Sequence, residues 1–450
     1  MTPASDPAAT ALDVLRLAEA GQFDAIHARL APQLQPMISE TVLRAAWRAA
    51  LNQYGAVTTI GAPHLDPPRA GTITLRVPVS GERGAFTVLI VLTESHQLAG
   101  LQIAGASATQ ATDTWRPPEY ADPAAFTERD LSLGDEPLPV GATLSLPRQQ
   151  TRVPAVVMLA GSGPQDRDET LGPNKILKDV AWGLASLGIA VLRFDKVTLA
   201  HADALRANPQ LTLTDEYVPH ARAAIHALRR EAGVDPDRIY VLGHSLGGTA
   251  APRVAAAEPA TAGLILVAAG AQPLHWSAVR QLRYLATLPT GRGGSAEAAE
   301  ILCEHARRVD SADLSPSTPS TELPFGVPAP YWLDLRSYQP AQLVAALGKP
   351  ILLVQGGRDY QVTVADDLQL WQRELGHRPA VTIRVFDADD HCLFRGTGPS
   401  RPADYETADH VDPSVITGIA DWIRTQEQPH GDPQHDGGAE TAHPSEKDST

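Results

Sequence analysis

Between residues 130 and 386 the chain alternates short, mostly apolar runs with longer stretches whose apolar positions recur at helical spacing. The runs fall at 155–159, 190–194, 238–242, 263–268, 351–354 and 381–386. Strands that are apolar on both faces and separated by helices predict a parallel sheet covered on both sides. Two segments ahead of them, 130–133 and 141–146, predict a leading hairpin. The gap between the fourth and fifth runs, 272–348, is unusually long. It holds helical patterns at 278–288 and 296–308 and a Pro/Ser-rich loop at 315–330. An insertion of that size beside a site is expected to form a lid. Asp412-Pro413 then caps a last amphipathic helix on Val415, Ile416, Ile419, Trp422 and Ile423. Residues 427–450 are polar and free of aromatics, and are expected to be disordered.

The first hundred residues follow another rhythm. Leu12, Val14, Leu15, Leu17 and Ala18 begin an amphipathic helix, and 23–30 and 39–54 continue at helical spacing. Strict alternation then sets in at 72–79, 85–92 and 98–104, with turns at 80–84 and 94–97, which predicts an antiparallel meander. The expected organisation is a small α+β accessory domain over 1–110, a linker over 111–124 and a larger domain over 125–426. The fold class is α/β: a doubly wound, mostly parallel sheet with a helical lid, preceded by the small α+β domain.

Composition narrows the partners. The 450 residues are 43% hydrophobic and 20% charged, with a net charge of −15 and a pI near 5.4. No basic run appears, and neutralising phosphates needs clustered Lys and Arg, so neither nucleic acid nor an anionic membrane is expected as the main partner. The longest apolar stretch, 262–271, is too short to span a bilayer. Residues 1–16 lack a basic segment followed by an apolar core, so no signal peptide is read and a cytoplasmic location is expected. Cys303 and Cys392 are too few for a disulfide framework and lack zinc spacing. The histidines of the tail are scattered without regular ligand spacing. No metal or cofactor is expected.

One motif carries chemistry. Ile239-Tyr240-Val241-Leu242 runs into Gly243-His244-Ser245-Leu246-Gly247, and Thr249-Ala250-Ala251 continue into a small-residue helix that Pro252 interrupts. A bare Gly-x-Ser-x-Gly arises by chance in roughly one chain in ten of this length. The strand before it and the helix after it make chance a poor account. They are what a nucleophile elbow needs, with glycines two before and two after the serine because the turn is too tight for side chains. The structural alternative is a plain strand-to-helix turn. An alcohol becomes a nucleophile only when a base takes its proton, and the base needs an acid to fix its tautomer. Two later strand ends supply both. The run 351–354 leads into Gln355-Gly356-Gly357-Arg358-Asp359, and 381–386 leads into Asp387-Ala388-Asp389-Asp390-His391. Asp366 and Asp367 fit the acid role less well, since they lie in a helical stretch. Among the histidines His391 alone sits in the loop directly after the last strand.

Gly-His-Ser-Leu-Gly-Gly, Gly-Gly-Arg-Asp and the late Asp-Asp-His resemble the α/β-hydrolase superfamily, within its esterase, dienelactone-hydrolase and prolyl-oligopeptidase-like branches. The resemblance covers residues 125–426. It implies Ser245 as nucleophile, His391 as base, Asp359 as the acid, and an oxyanion hole made by backbone N–H groups. One is that of Leu246, at the start of the helix. The other comes from the loop Ala160-Gly161-Ser162-Gly163, from Ser162 or Gly163, with Ser162 fitting the donor position. The family usually has His-Gly where this chain has Ala160-Gly161. Arg167 and Asp168 read as braces of that loop through ion pairing. His244 reads as a packing residue of the elbow that also borders the substrate pocket. Trp276, Tyr331 and Trp332, with Tyr284 and Phe325, could roof that pocket or simply pack the lid on the core. The front region is similar to nuclear-transport-factor-2-like domains. A second pocket, a homo-oligomer surface and a cover over the site remain open as its role.

The reading is a serine hydrolase acting on small carboxylic esters of short to medium acyl chain, through an acyl-enzyme. A peptidase or thioesterase could use the same three residues, and a non-catalytic binding protein could use the same fold. A nicotinamide oxidoreductase is disfavoured. Gly161-x-Gly163 follows a strand and Asp195 ends the next one, but Asp166 stands where a dinucleotide site needs its third glycine.

Overall fold

The computed structural model describes residues 6–426 except 32–33, 36–37, 39, 67–71, 94, 106–114, 150, 207 and 289–295. The tail over 427–450 and the first part of the expected linker thus lie outside the described residues.

The N-terminal region has its own α+β fold. Helices α1 (Pro7–Glu19), α2 (Phe23–Arg29) and α3 (Glu40–Tyr54) precede strands β1 (Val57–Ile60), β2 (His64–Leu65), β3 (Thr72–Gly81), β4 (Gly84–Thr93) and β5 (Leu98–Gly105). All neighbouring strands are antiparallel, in the order β1-β3-β4-β5, with β2 pairing β3. Alternation does the work expected of it. Leu75, Val77 and Val79 of β3 and Phe86, Val88, Ile90 and Leu92 of β4 share one core with Val14, Leu15, Ile26 and Trp47 of the helices. Strands β1 and β2 were not legible in the sequence: both are short, and His64 and Leu65 are exposed.

The second unit opens with β6 (Phe126–Leu133) and β7 (Val140–Pro147), the expected hairpin, followed by β8 (Val153–Leu159). A small hairpin, β9 (Thr170–Leu171) and β10 (Asn174–Lys175), leads into α4 (Ile176–Ser186), β11 (Ala190–Phe194), the short α5 (Val197–Ala200) and α6 (Ala202–Arg206), and α7 (Leu213–Arg229). Then come β12 (Val234–His244), α8 (Leu246–Ala257) and β13 (Gly263–Val267). The long segment that follows holds α9 (Leu274–Thr287), α10 (Ala296–Asp310), α11 (Ala329–Arg336) and α12 (Pro340–Leu347). The chain closes with β14 (Ile351–Gly356), α13 (Gln369–Leu375), β15 (Val381–Phe386) and α14 (Pro413–Thr425), whose N-cap Asp412 accepts the Ser414 N–H. Helix α8 runs through Pro252 to Ala257.

Eight strands form one sheet in the order β15-β14-β13-β12-β8-β11-β7-β6. The six from β15 to β11 are mutually parallel, and β7 and β6 extend the sheet antiparallel. Burial on both faces explains the continuous apolar runs. Along β8, Val153, Ala155, Val157 and Leu159 enter the core under α7 and α8, while Val156 and Met158 enter the core under α4 and α14. Strands β12 and β14 divide in the same way, with Val241 and Leu353 on one face and Leu242 and Leu352 on the other. The chain steps from β8 to β11 on one side and then returns to place β12 on the other. The carboxyl ends of β8 and β12 therefore flank the point where the winding reverses, the place where open α/β sheets bind ligands.

Candidate active site

The elbow between β12 and α8 is built by close backbone approach. Ser245 sits at φ 53°, ψ −120°, a left-handed conformation rare for a residue with a side chain. A Cβ on Gly243 would fall on the carbonyl oxygen of Gly247, and one on Gly247 would stand 2.6 Å from the carbonyl of Ala160. Backbone cannot move aside, so both positions exclude any side chain. The Ser245 N–H donates to the Val267 carbonyl at 2.9 Å, which ties the strained residue to β13.

From this elbow a chain of hydrogen bonds runs outward. His391 Nε2 lies 3.0 Å from Ser245 Oγ, and His391 Nδ1 lies 2.8 Å from Asp359 Oδ2. Asp359 is held on both oxygens. Its Oδ1 accepts the N–H groups of Gln361 at 2.7 Å and Val362 at 2.9 Å, and its Oδ2 also accepts from Gln355 Nε2 at 3.2 Å. A carboxylate accepts only, so Nδ1 of His391 carries the proton and Nε2 is left to accept from the serine hydroxyl. Asp389 and Asp390, just before the histidine, are both pushed up by burial, to about 7 and about 6.

Behind this chain lies a second, buried pair. His244 Nδ1 stands 3.0 Å from both oxygens of Glu169, and its Nε2 donates to the His391 carbonyl at 2.9 Å. Burial pulls the imidazole down, but the Glu169 charge and hydrogen bond outweigh it and push it up to about 9. Burial raises the Glu169 carboxyl, and His244 with the Gly161 N–H brings it below its ordinary value. The pair is therefore charged at neutral pH. His244 is 4% exposed with both nitrogens engaged, so it supports the site from behind.

The amides of Leu246 and Ser162 have no hydrogen-bond partner among the described residues. Each brace residue near them pairs elsewhere. Arg167 grips Asp195 through Nε at 3.0 Å and Nη2 at 2.7 Å, and Asp168 holds Lys175 and the buried Arg193. Asp195 is thereby occupied as an ion-pair partner.

The aromatics expected to roof the pocket or pack the lid each have partners of their own, Phe325 excepted. Trp332 is fully buried, with its ring edge-on to His275. Tyr331 is buried too, and its hydroxyl donates to Glu216 Oε2 at 2.7 Å. Trp276 donates its indole N–H to Asp310 Oδ2 at 2.7 Å. Tyr284 stacks on Tyr360 and donates to the Ser400 carbonyl, and Phe325 is half exposed. Helix α12 packs on α8 and α11 on α7, within the layer that covers the sheet. Helix α9 is stapled to the loop of Asp359: Arg280 reaches Asp367 at 2.7 Å and the Gln361 carbonyl at 2.8 Å. Asp367, fully buried, also accepts the N–H groups of Ala271 and Gln272 at 3.1 Å each.

Sequence reasoning missed Glu169, Gln355 and Lys196. Each is a buried polar residue beside the site, and no motif marks it. Among the described residues no group of His, Cys, Asp and Glu could hold a metal ion, and no helix is long and apolar enough to cross a membrane.

Sheet order and elbow together define the α/β-hydrolase class. A family model described as "Serine aminopeptidase, S33" matches residues 174–397, a span that contains Ser245, Asp359 and His391. The chain is 37% identical over 343 residues to Esterase EstD of Thermotoga maritima, which covers 76% of this chain and 77% of that protein. Among solved structures, Est1E from Butyrivibrio proteoclasticus is 16% identical with a TM-score of 0.44, over 66% of this chain and 98% of that one. The Pyrococcus furiosus esterase PF2001 is 16% identical with a TM-score of 0.43, over 70% and 99%. The chain belongs to the α/β-hydrolase superfamily, in the family that includes Esterase EstD.

Proposed function

We propose that this protein is a serine esterase that cleaves small carboxylic esters of short to medium acyl chain through an acyl-enzyme. The observation that carries the reading is the hydrogen-bonded chain Ser245–His391–Asp359 at the winding reversal of the sheet. Ser245 Oγ attacks the ester carbonyl as His391 Nε2 takes its proton, and Asp359 stabilises the imidazolium. The tetrahedral oxyanion accepts from the amides of Leu246 and Ser162. Collapse expels the alcohol, which receives the proton from His391. Water, deprotonated by the same nitrogen, then attacks the acyl-enzyme and frees the acid and Ser245. The relationship to Esterase EstD favours esters over amides and thioesters.

The family model's description favours one second reading, a peptidase that releases an N-terminal residue. Ser245→Ala should abolish turnover of p-nitrophenyl butyrate and labelling by a fluorophosphonate while leaving the fold intact. Wild-type turnover by that variant would overturn the assignment. Faster cleavage of aminoacyl-β-naphthylamides than of the esters would move the reading to peptidase.

The N-terminal unit, with three helices preceding an antiparallel sheet, fits a nuclear-transport-factor-2-like accessory domain. It contributes no residue to the hydrogen-bonded chain, which supports assembly or coverage as its role, in a protein read as cytoplasmic.

A further inference from the structure

One buried ammonium beside this site has no part in the chemistry just described. Lys196 follows β11 and is 2% exposed. Its Nζ meets the Gly161 carbonyl at 2.8 Å, the Tyr217 hydroxyl at 2.8 Å and Glu216 Oε1 at 2.7 Å, one acceptor for each of its protons. The Tyr217 oxygen in turn lies 2.9 Å from the Ala160 carbonyl and 3.0 Å from that of Gly161. Burial pulls the ammonium down from its ordinary range, and Glu216 acts against it. Against a well-packed apolar replacement a buried ion pair often breaks about even for stability, so folding alone gives weak grounds for placing one here.

The geometry points to Lys196, together with Tyr217, as a positioning residue that holds the Gly161 carbonyl and so aims the Ser162 N–H at the oxyanion. This rests on the serine-hydrolase reading above. In a planar trans peptide the carbonyl of one residue and the N–H of the next point in opposite directions. Two donors on the Gly161 oxygen therefore fix the bearing of the Ser162 N–H. Gly161 is fixed on its other side as well, since its own N–H donates to Glu169 Oε1 at 2.7 Å. The peptide lies against the nucleophile: a Cβ on Gly161 would come within 3.2 Å of Ser245 Cβ. An ammonium on the carbonyl also polarises the peptide and makes its N–H a stronger donor. The pinned peptide carries the N–H of Ser162, which selects Ser162 over Gly163. Glu216 is itself held from the far side by the Tyr331 hydroxyl at 2.7 Å, so α11 anchors the partner of the ammonium.

Two substitutions test this. Lys196→Met keeps an unbranched side chain one atom shorter and removes the ammonium, and Tyr217→Phe removes a single hydroxyl. An alkyl trifluoromethyl ketone, which forms a tetrahedral oxyanion adduct on the serine, reads the oxyanion site. KM for p-nitrophenyl butyrate reads ground-state binding. Lys196→Met should lower kcat and weaken the ketone by about ten-fold or more, with KM within about two-fold. Tyr217→Phe should move the same two quantities in the same direction by a smaller factor, and it decides alone if Lys196→Met does not fold. Ketone affinity and KM weakening in step would overturn the inference, because general disorder of the site does that. A wild type that neither hydrolyses the ester nor binds the ketone sinks the serine-hydrolase reading and this inference with it. A wild type that does both, with Ser245→Ala inert and the Lys196 and Tyr217 variants unchanged, sinks this inference alone.

Discussion

Glu169→Gln keeps the shape of a buried side chain and one acceptor oxygen, and removes its charge and one acceptor from beside His244. The loss can be worked from the imidazole. Its folded value is about 9, against an ordinary 6.5, and each unit corresponds to about 1.4 kcal/mol, so the pair contributes about 3 kcal/mol when fully expressed. Because the folded value is raised, the contribution is complete below the unfolded value of 6.5 and is lost as pH rises through 9. At pH 7 the native imidazole is protonated and most of the unfolded population is not, which leaves between about 2 and 3 kcal/mol. Glu169 bounds the acid side. Its carboxyl is lowered, so its share of the same interaction fades only as pH falls below its ordinary 4.5. Urea unfolding of wild type and variant between pH 6 and pH 10 reads the difference. Tryptophan fluorescence suits it, because six of the seven tryptophans lie between 115 and 422. The gap in stability should be about 3 kcal/mol at pH 6 and close on zero by pH 10. A gap that stays constant across that range refutes a charged Glu169–His244 pair.

Asp359→Asn should lower kcat by about 10³- to 10⁴-fold with KM little changed, since the amide favours the wrong imidazole tautomer; steady-state ester hydrolysis measures it. Its effect should not exceed that of Ser245→Ala. Gly243→Ala pushes a methyl group onto the Gly247 carbonyl and should lower Tm by about 5 °C or more in a thermal melt. A chain beginning near residue 112 should keep fluorophosphonate labelling at Ser245, and loss of labelling in folded protein would place an N-terminal residue in the site. Light scattering on the same pair of proteins tests the assembly role, which an unchanged oligomer number would remove.

What the sequence discloses depends on whether a residue's neighbours are near in the chain. Runs such as Leu352-Leu353-Val354 have no use for consecutive apolar side chains unless both faces are buried, so the buried strands β8 and β11 to β14 could be read, while β15 lies at the sheet edge and is only partly buried. Ser245, Asp359 and His391 follow strand ends in an order that topology brings to one edge, and the fold unites them within hydrogen-bond reach. Nothing local separates an aromatic that roofs a pocket from one that fills a core. Tyr331 is settled by Glu216, and that carboxylate lies 115 positions away. Glu169 and His244 are 75 positions apart, and Lys196 and Gly161 are 35 apart. A sequence shows that such residues can be charged, and only the fold shows that they are sealed from water.

Gln361 serves two masters. Its N–H holds the carboxylate of Asp359, and its carbonyl accepts from Arg280 of α9 and from the Gln281 side chain at 3.1 Å. Swinging that helix outward would pull on the turn that orients the acid. Helix α9 is thus tied to the turn that holds the acid, and removing it should loosen that turn. Evolution, or an engineer, can reshape the entrance here by exchanging single side chains. Exchanging the whole segment for another protein's would carry Arg280 away with it.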